Sequence, residues 1–157
     1  MVKIRIIAVG KTKEDWITQA IRHYLKLLKR YAEVELVEIK TDKIITSLSI
    51  KSVLEKEANK IRSLLKPSDL NVLLDVKGRC KSSEEFADFF ENNLKRGYNE
   101  FTFLLGGPLG VAPKIRETCS LRLSLSPMTF THEMSRVILL EQIYRAFSIL
   151  QGSKYHK

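Results

Sequence analysis

Hydrophobic positions along the chain follow two different periods. Short, nearly continuous or alternating apolar runs predict β-strands, and they occur at residues 2–10, 34–39, 71–76, 101–105 and 121–125. Between these runs apolar residues recur at helical spacing, as Trp16, Ala20, Tyr24 and Leu28 do. Strands that alternate with helices predict an α/β fold, in which a parallel sheet carries helices on both faces.

Helix starts are indicated by polar residues that can cap free backbone amides. Ser52 with Glu55 and Ser82 with Glu85 both have the spacing of a capping box, which predicts a helix beginning at each serine. A long helix is predicted from about Thr131 to Leu150.

Length and hydropathy indicate one cytoplasmic domain. The 157 residues are enough for one substantial core, so we expect a single domain over residues 1–157. No apolar run approaches the roughly 18 to 20 residues of a membrane span, and the N-terminal strand lacks the layout of a signal peptide. We therefore expect no membrane association.

Charge and cysteine content narrow the class of function. A net charge of +9 favours a polyanionic partner such as nucleic acid, although a merely soluble basic protein would show it too. Cys80 and Cys119 have no CxxC spacing, so neither a disulfide framework nor a metal site is indicated.

Ligands of parallel α/β sheets bind beyond the carboxyl ends of the strands, here just after Leu74, Leu105 and Leu125. The glycine run 106–110 follows the second of these and would let a ligand approach the backbone closely, but it also fits a plain tight turn. The third is followed by a short polar loop whose amides and carbonyls could read an adenine edge, or which could simply connect strand and helix.

The long helix places two ionisable side chains on an apolar face. At about 100° per residue, His132 and Arg136 share one arc with Leu139, Ile143 and Phe147. Both could point into a site at the sheet edge, although a lone histidine is often a structural residue. Other apolar residues cover the remaining arcs, which suggests burial against a second copy of the chain.

The chain ends in Tyr155, His156 and Lys157, an aromatic ring, an imidazole and a cation. These groups are suited to stacking on a base, exchanging a proton and meeting a phosphate, whereas most chain ends are simply frayed.

The run GGPLG, the run LSLSPMTFTHEMSRVILLEQIYRAF and the terminal YHK together resemble the family of large-subunit ribosomal RNA pseudouridine N3-methyltransferases, which belongs to the SPOUT superfamily. The opening KIRIIAVGK and the stretch from LLDVKG to SSEEFA extend this similarity over almost the whole chain. The sequence departs from the family at Pro127, where a lysine is usual, and at Lys157, where some relatives carry arginine.

The resemblance implies a C-terminal deep trefoil knot and a homodimer in which each site is completed by the partner. It also implies S-adenosyl-L-methionine as the methyl donor and a pseudouridine in a 23S rRNA hairpin of the assembled ribosome as the target. The donor contacts that it implies are Leu74, Gly106, Leu125, Ser126, Pro127, Met128, Thr129 and Phe130.

Residue chemistry together with the resemblance suggests a division of catalytic roles. His132 or His156 could accept the proton of the target nitrogen, Arg136 or Lys157 could stabilise the resulting anion, and Tyr155 could contact the base. Two alternatives remain: a SPOUT enzyme that acts on transfer RNA, and a basic module that binds RNA or a nucleotide without catalysis.

Overall fold

The computed structural model describes residues 1–41 and 47–152. It describes the side chains of all these residues except 47–49. Ten elements follow one another along the chain. In order they are β1 (Val2–Val9), α1 (Asp15–Leu28), β2 (Ala32–Ile39), α2 (Ser47–Leu64), β3 (Leu70–Cys80), α3 (Ser83–Lys95), β4 (Glu100–Leu105), α4 (Pro113–Thr118), β5 (Leu121–Ser124) and α5 (His132–Leu150).

The five strands form one sheet in the order β2-β1-β4-β3-β5, and every pairing is parallel. β1 pairs with β2 over its whole length, from Val2 opposite Ala32 to Val9 opposite Ile39. The α/β class with a parallel sheet, predicted from the alternating periods, is confirmed.

Each face of the sheet is covered by its own set of helices. Along β1, Ile4 and Ile6 pack on the face covered by α1, α3 and α5, whereas Ile7 and Val9 pack on the face covered by α2 and α4. Successive side chains of a strand point to opposite faces, so a strand buried on both faces is apolar at almost every position. This explains the continuous apolar run in β1.

The helix starts show where local signals determine the boundary. Ser82 and Glu85 form the predicted capping box, with the Ser82 hydroxyl accepting from the Glu85 amide. The prediction at Ser52 is wrong, because α2 begins at Ser47 and Ser52 lies inside the helix. A serine and a glutamate three residues apart can occur within a helix as well as at its start, so the spacing alone does not mark the boundary.

β3 leaves its regular pairing near its carboxyl end. Leu74 and Arg79 both pair with Leu123 of β5, so residues 75–78 bulge out of the ladder. A Cβ on Gly78 would lie 2.7 Å from the carbonyl carbon of Leu123, and glycine therefore permits this close approach. The bulge begins directly after Leu74, the last residue of β3 that pairs with β4.

No helix in the described parts of the chain is both long enough and apolar enough to span a membrane.

The close approach of Gly78 to β5 predicts a specific loss of stability. Gly78→Ala should lower the free energy of unfolding by about 2 to 3 kcal/mol, because the new Cβ would meet backbone that cannot rotate away. Urea denaturation measures this. Lys77→Ala is the control, since that side chain is exposed in the same bulge, and it should change stability by less than about 0.5 kcal/mol. Equal effects of the two substitutions would contradict the proposed packing.

Candidate functional site

The end of β4, the part of β3 where its pairing with β4 stops, and the start of α5 surround a cavity of about 580 Å³, called here the strand-end cavity. It lies where the sheet-edge rule places a ligand. Its walls come from three separate segments of the chain: Leu73, Leu74, Asp75 and Val76; Gly106, Gly107, Pro108, Gly110, Val111 and Arg116; and Thr129, Phe130, Thr131, His132 and Ser135.

The structure brings seven of the eight residues predicted as donor contacts to this cavity or to a smaller space beside it. Leu74, Gly106, Thr129 and Phe130 line it directly. A smaller adjoining space of about 80 Å³ shares Leu74 and Phe130 with it and is also lined by Leu125, Ser126 and Met128. Pro127 is exposed in the same loop and lines neither space.

The glycine run after β4 forms a compact turn at the cavity wall. Gly107 and Gly110 form an isolated antiparallel bridge, and Gly110 has a φ of +76°. A Cβ on Gly106 would lie 2.9 Å from the carbonyl oxygen of Gly110. A side chain at position 106 would therefore disturb the turn, whereas glycine leaves backbone exposed to a ligand.

Hydrogen bonds within the loop between β5 and α5 hold its shape. The Ser124 hydroxyl donates to the Ser126 carbonyl at 2.9 Å, and the Met128 amide donates to the Ser126 hydroxyl at 3.0 Å. The Thr131 hydroxyl then accepts from the Met134 amide at 3.2 Å and so caps α5. These bonds present the loop backbone at the cavity in a defined conformation.

His132 lines the strand-end cavity as the first residue of α5. Its side chain is partly buried, and an imidazole so placed is able to accept a proton from a group bound in the cavity.

Arg136 occupies a different environment, one turn further along α5. Its side chain is 1% exposed, and its guanidinium donates to the carbonyls of Val9 and Gly10 at 3.1 and 2.8 Å. It also donates to Thr12 Oγ1 at 2.7 Å and to Glu38 Oε1 at 2.9 Å. The guanidinium thus joins α5 to the ends of β1 and β2, and Arg136 is not among the residues that line the cavity.

Glu133 makes a second connection between α5 and the β1–α1 loop. Its carboxylate accepts from the backbone amides of Lys13 and Glu14 just before α1. These contacts lower the pKa of Glu133 below its ordinary value. The hydrogen bond from the Lys13 amide lowers it most, and the Glu14 amide and the charges of Arg136 and His132 add to the effect.

Asp75 is a charged residue of the cavity wall that the sequence patterns did not single out. Its side chain is 12% exposed, and Oδ1 accepts from the Lys77 amide at 3.0 Å. Oδ2 is buried and has no hydrogen-bond partner among the described residues, while Arg116 and Arg122 each approach it to 3.8 Å. The available signal was its position directly after Leu74 at a strand end.

The apolar circumference of α5 is largely accounted for within one protomer. Val137 and Tyr144, which lie off the main apolar arc, are buried in the same core as residues of α1 and α3. Two exposed apolar side chains lie at the rim of the cavity, where Val76 is 67% and Met128 76% exposed. The helix pattern therefore does not by itself require a second copy.

The terminal residues Tyr155, His156 and Lys157 lie outside the described residues. Within the described residues no group of three or more histidine, cysteine, aspartate or glutamate side chains could hold a metal ion.

The chain is similar to known proteins over its whole length. A family model described as "Predicted SPOUT methyltransferase" matches residues 2–156. A protein of Halothermothrix orenii named ribosomal RNA large subunit methyltransferase H is 44% identical over 99% of both chains. A protein of the same name from Carboxydothermus hydrogenoformans is 40% identical over 99% of both chains.

The fold is also found in a solved structure of low sequence similarity. A probable methylase family protein from Haemophilus influenzae aligns with a TM-score of 0.57 at 13% identity, covering 97% of this chain and 67% of that one. This likeness concerns the fold alone. The match to a SPOUT family model supports the C-terminal knot that the resemblance implies.

The environment of Arg136 predicts a large loss of stability on its removal. Arg136→Met should lower the free energy of unfolding by about 3 to 5 kcal/mol, because Glu38 and two strand-end carbonyls would lose their buried partner. Arg145→Met removes an arginine from the same helix that pairs with Glu141 four residues away, and it should cost about 1 kcal/mol or less. Chemical denaturation of both variants tests this. Full stability of Arg136→Met would refute the anchoring role.

The lowered pKa of Glu133 predicts an acid-dependent contribution to stability. Because the folded-state pKa lies below the unfolded-state value, the contribution is present above the unfolded pKa and is lost as the pH falls through the folded pKa. The melting temperature of Glu133→Gln should therefore lie below that of the parent protein near neutral pH. The gap should close as the pH falls below about 4.5. A gap that stays constant down to pH 3 would rule out the carboxylate as its source.

Proposed function

The chain belongs to the SPOUT methyltransferase family, and we propose that it methylates ribosomal RNA with S-adenosyl-L-methionine as the donor. The proposed target is N3 of a pseudouridine in a hairpin of 23S rRNA in the assembled ribosome. Residues 1–157 act as one methyltransferase domain in this proposal, and the protein works in the cytoplasm, where ribosomes are found. The observation that carries it is the convergence of three strand-end segments on one cavity in a chain 44% identical to a protein named as a large-subunit rRNA methyltransferase.

The strand-end cavity fits the methyl donor in size and in chemistry. Its volume of about 580 Å³ lies within the range of roughly 300 to 1,000 Å³ typical of small-molecule sites. Leu74, Val111 and Phe130 provide apolar walls for a nucleoside, and the 106–110 turn and the 125–130 loop provide backbone polar groups for an adenine edge. In this assignment Leu74, Gly106 and the loop from Leu125 to Phe130 hold the donor.

When bound, the donor supplies an electrophilic methyl group on a positively charged sulfur, so the protein's main task is to orient the target nitrogen and remove its proton. N3 of a pseudouridine carries a hydrogen, and its lone pair becomes a good nucleophile only when that proton leaves. His132 at the cavity wall is placed to accept it. His156 is the other candidate base, and Tyr155 and Lys157 are assigned to the target base and its developing negative charge.

Arg136 is assigned a positioning role in this mechanism. Its guanidinium is held by the ends of β1 and β2, so it acts on the reaction by fixing the first turns of α5, which carry His132. An arginine so enclosed is not presented to an RNA phosphate. Stabilisation of the uridine anion is therefore assigned to Lys157 in preference to Arg136.

We further propose a homodimer that covers the cavity rim. Val76, Met128 and Phe130 expose apolar surface beside the site, and such surface is commonly buried in an interface. A second copy seated there would bring its own residues to the donor, in line with the composite site that the family resemblance implies. The net charge of +9 would attract the rRNA, predicting binding that weakens steeply with added salt.

A methyl-transfer assay with labelled S-adenosyl-L-methionine tests this function. Ribosomes that lack the modification should accept label, and naked rRNA and transfer RNA should accept much less. Preferred labelling of transfer RNA would replace the substrate proposed here, and donor binding without transfer to any RNA would favour a binding module.

The role of His132 is tested in the same assay. His132→Ala should reduce the rate of transfer by about 10²- to 10⁴-fold while leaving donor affinity nearly unchanged, because a general base acts on the reaction step. His23→Ala is the control, since His23 is exposed on α1 away from the cavity. An unchanged rate for His132→Ala would assign the proton transfer elsewhere.

A further inference from the structure

We infer that Asp75 and Arg116 form the recognition site for the amino-acid end of the methyl donor, an inference that rests on the proposed function. Asp75 would bind its ammonium group and Arg116 its carboxylate. Both side chains line the same cavity without completing a hydrogen bond to each other, because Asp75 Oδ2 and Arg116 Nε lie 3.8 Å apart.

Asp75 is held in place on one side only. Its Oδ1 accepts from the Lys77 amide, and this bond fixes the side chain against the bulge of residues 75–78. Its Oδ2 is buried without a hydrogen-bond partner among the described residues. A buried carboxylate oxygen left in this state is costly, and a cationic N–H donor would offset that cost.

Arg116 supplies the complementary charge. It lies on α4, lines the strand-end cavity and remains 47% exposed, so its guanidinium can turn toward a carboxylate without breaking a buried contact. An α-amino acid carries its ammonium and carboxylate on one carbon, so neighbouring groups of opposite charge match both. Among the described residues that line the cavity, only this pair offers a carboxylate beside a guanidinium.

Arg122 provides a matched control for the pair. Its NH1 also lies 3.8 Å from Asp75 Oδ2, and its side chain is also 47% exposed. It projects from β5 and is not among the residues that line the cavity. Arg116 and Arg122 therefore have the same distance from the carboxylate but differ in their access to the donor.

The test measures binding of three ligands by calorimetry: S-adenosylmethionine, S-adenosylhomocysteine and 5′-methylthioadenosine, which lacks the amino-acid end. Asp75→Asn should weaken the first two by about ten- to hundredfold, since one charge-assisted hydrogen bond is lost. It should change the binding of 5′-methylthioadenosine by less than about twofold. Arg116→Gln should give the same pattern, and Arg122→Gln should change all three affinities by less than about threefold.

Three results would overturn the inference. If Asp75→Asn weakened the binding of all three ligands equally, the carboxylate would maintain the cavity itself. An unchanged melting temperature of the variant controls for misfolding. A loss confined to S-adenosylmethionine would identify the sulfonium as its partner. Equal effects of Arg116→Gln and Arg122→Gln would reduce the pair to general electrostatics. If the parent protein bound none of the three ligands, the proposed function would fail instead.

Discussion

The buried guanidinium of Arg136 connects the C-terminal helix to the sheet. It comes from the second turn of α5 and reaches the carbonyls that end β1 and the carboxylate that ends β2. Burial lowers the pKa of this arginine, and the nearby charge of Glu38 opposes that effect. A charge so deeply placed is tolerated only with its partners in position, so it ties the orientation of α5 to the two strand ends.

The remaining features of the site depend on that orientation. Glu133, one turn before Arg136, caps the amides that precede α1, and Thr131 caps α5 itself. His132 lies between these two anchored residues and faces the cavity. The loop from Leu125 to Phe130 leads into this same fixed turn, so the loop and His132 are positioned together.

On the opposite side of the cavity the sheet departs from regular pairing. The bulge at residues 75–78 interrupts the β3–β5 ladder, which resumes at Arg79, and Asp75 lies in the cavity wall. The glycine run after β4 closes the space between the two sides. The site is therefore assembled from one irregular strand, one tight turn and one anchored helix, each contributed by a different part of the chain.

Local sequence patterns were enough to predict the order of the elements and the segments that line the cavity. The spacing of apolar residues depends on which faces of an element are buried, so short apolar runs identified all five strands. The strand-end rule then located Leu74, Gly106 and the loop after Leu125. A local capping signal was reliable at Ser82, where the serine lies outside the helix. It failed at Ser52, which lies inside α2.

The contacts of the charged residues, by contrast, became visible only in the folded chain. The wheel placed His132 and Arg136 on one arc, but an arc does not say which neighbour a long side chain meets, and the fold sends the histidine to the cavity and the arginine to β1. The environment of Asp75 was equally invisible in the sequence. Its Oδ2 has no hydrogen-bond partner among the described residues, and the arginines that approach it are 41 and 47 positions away along the chain. The periodicity of apolar residues lies within one short segment, so the sequence shows it directly, whereas the partners of a charged side chain are set by contacts between distant segments.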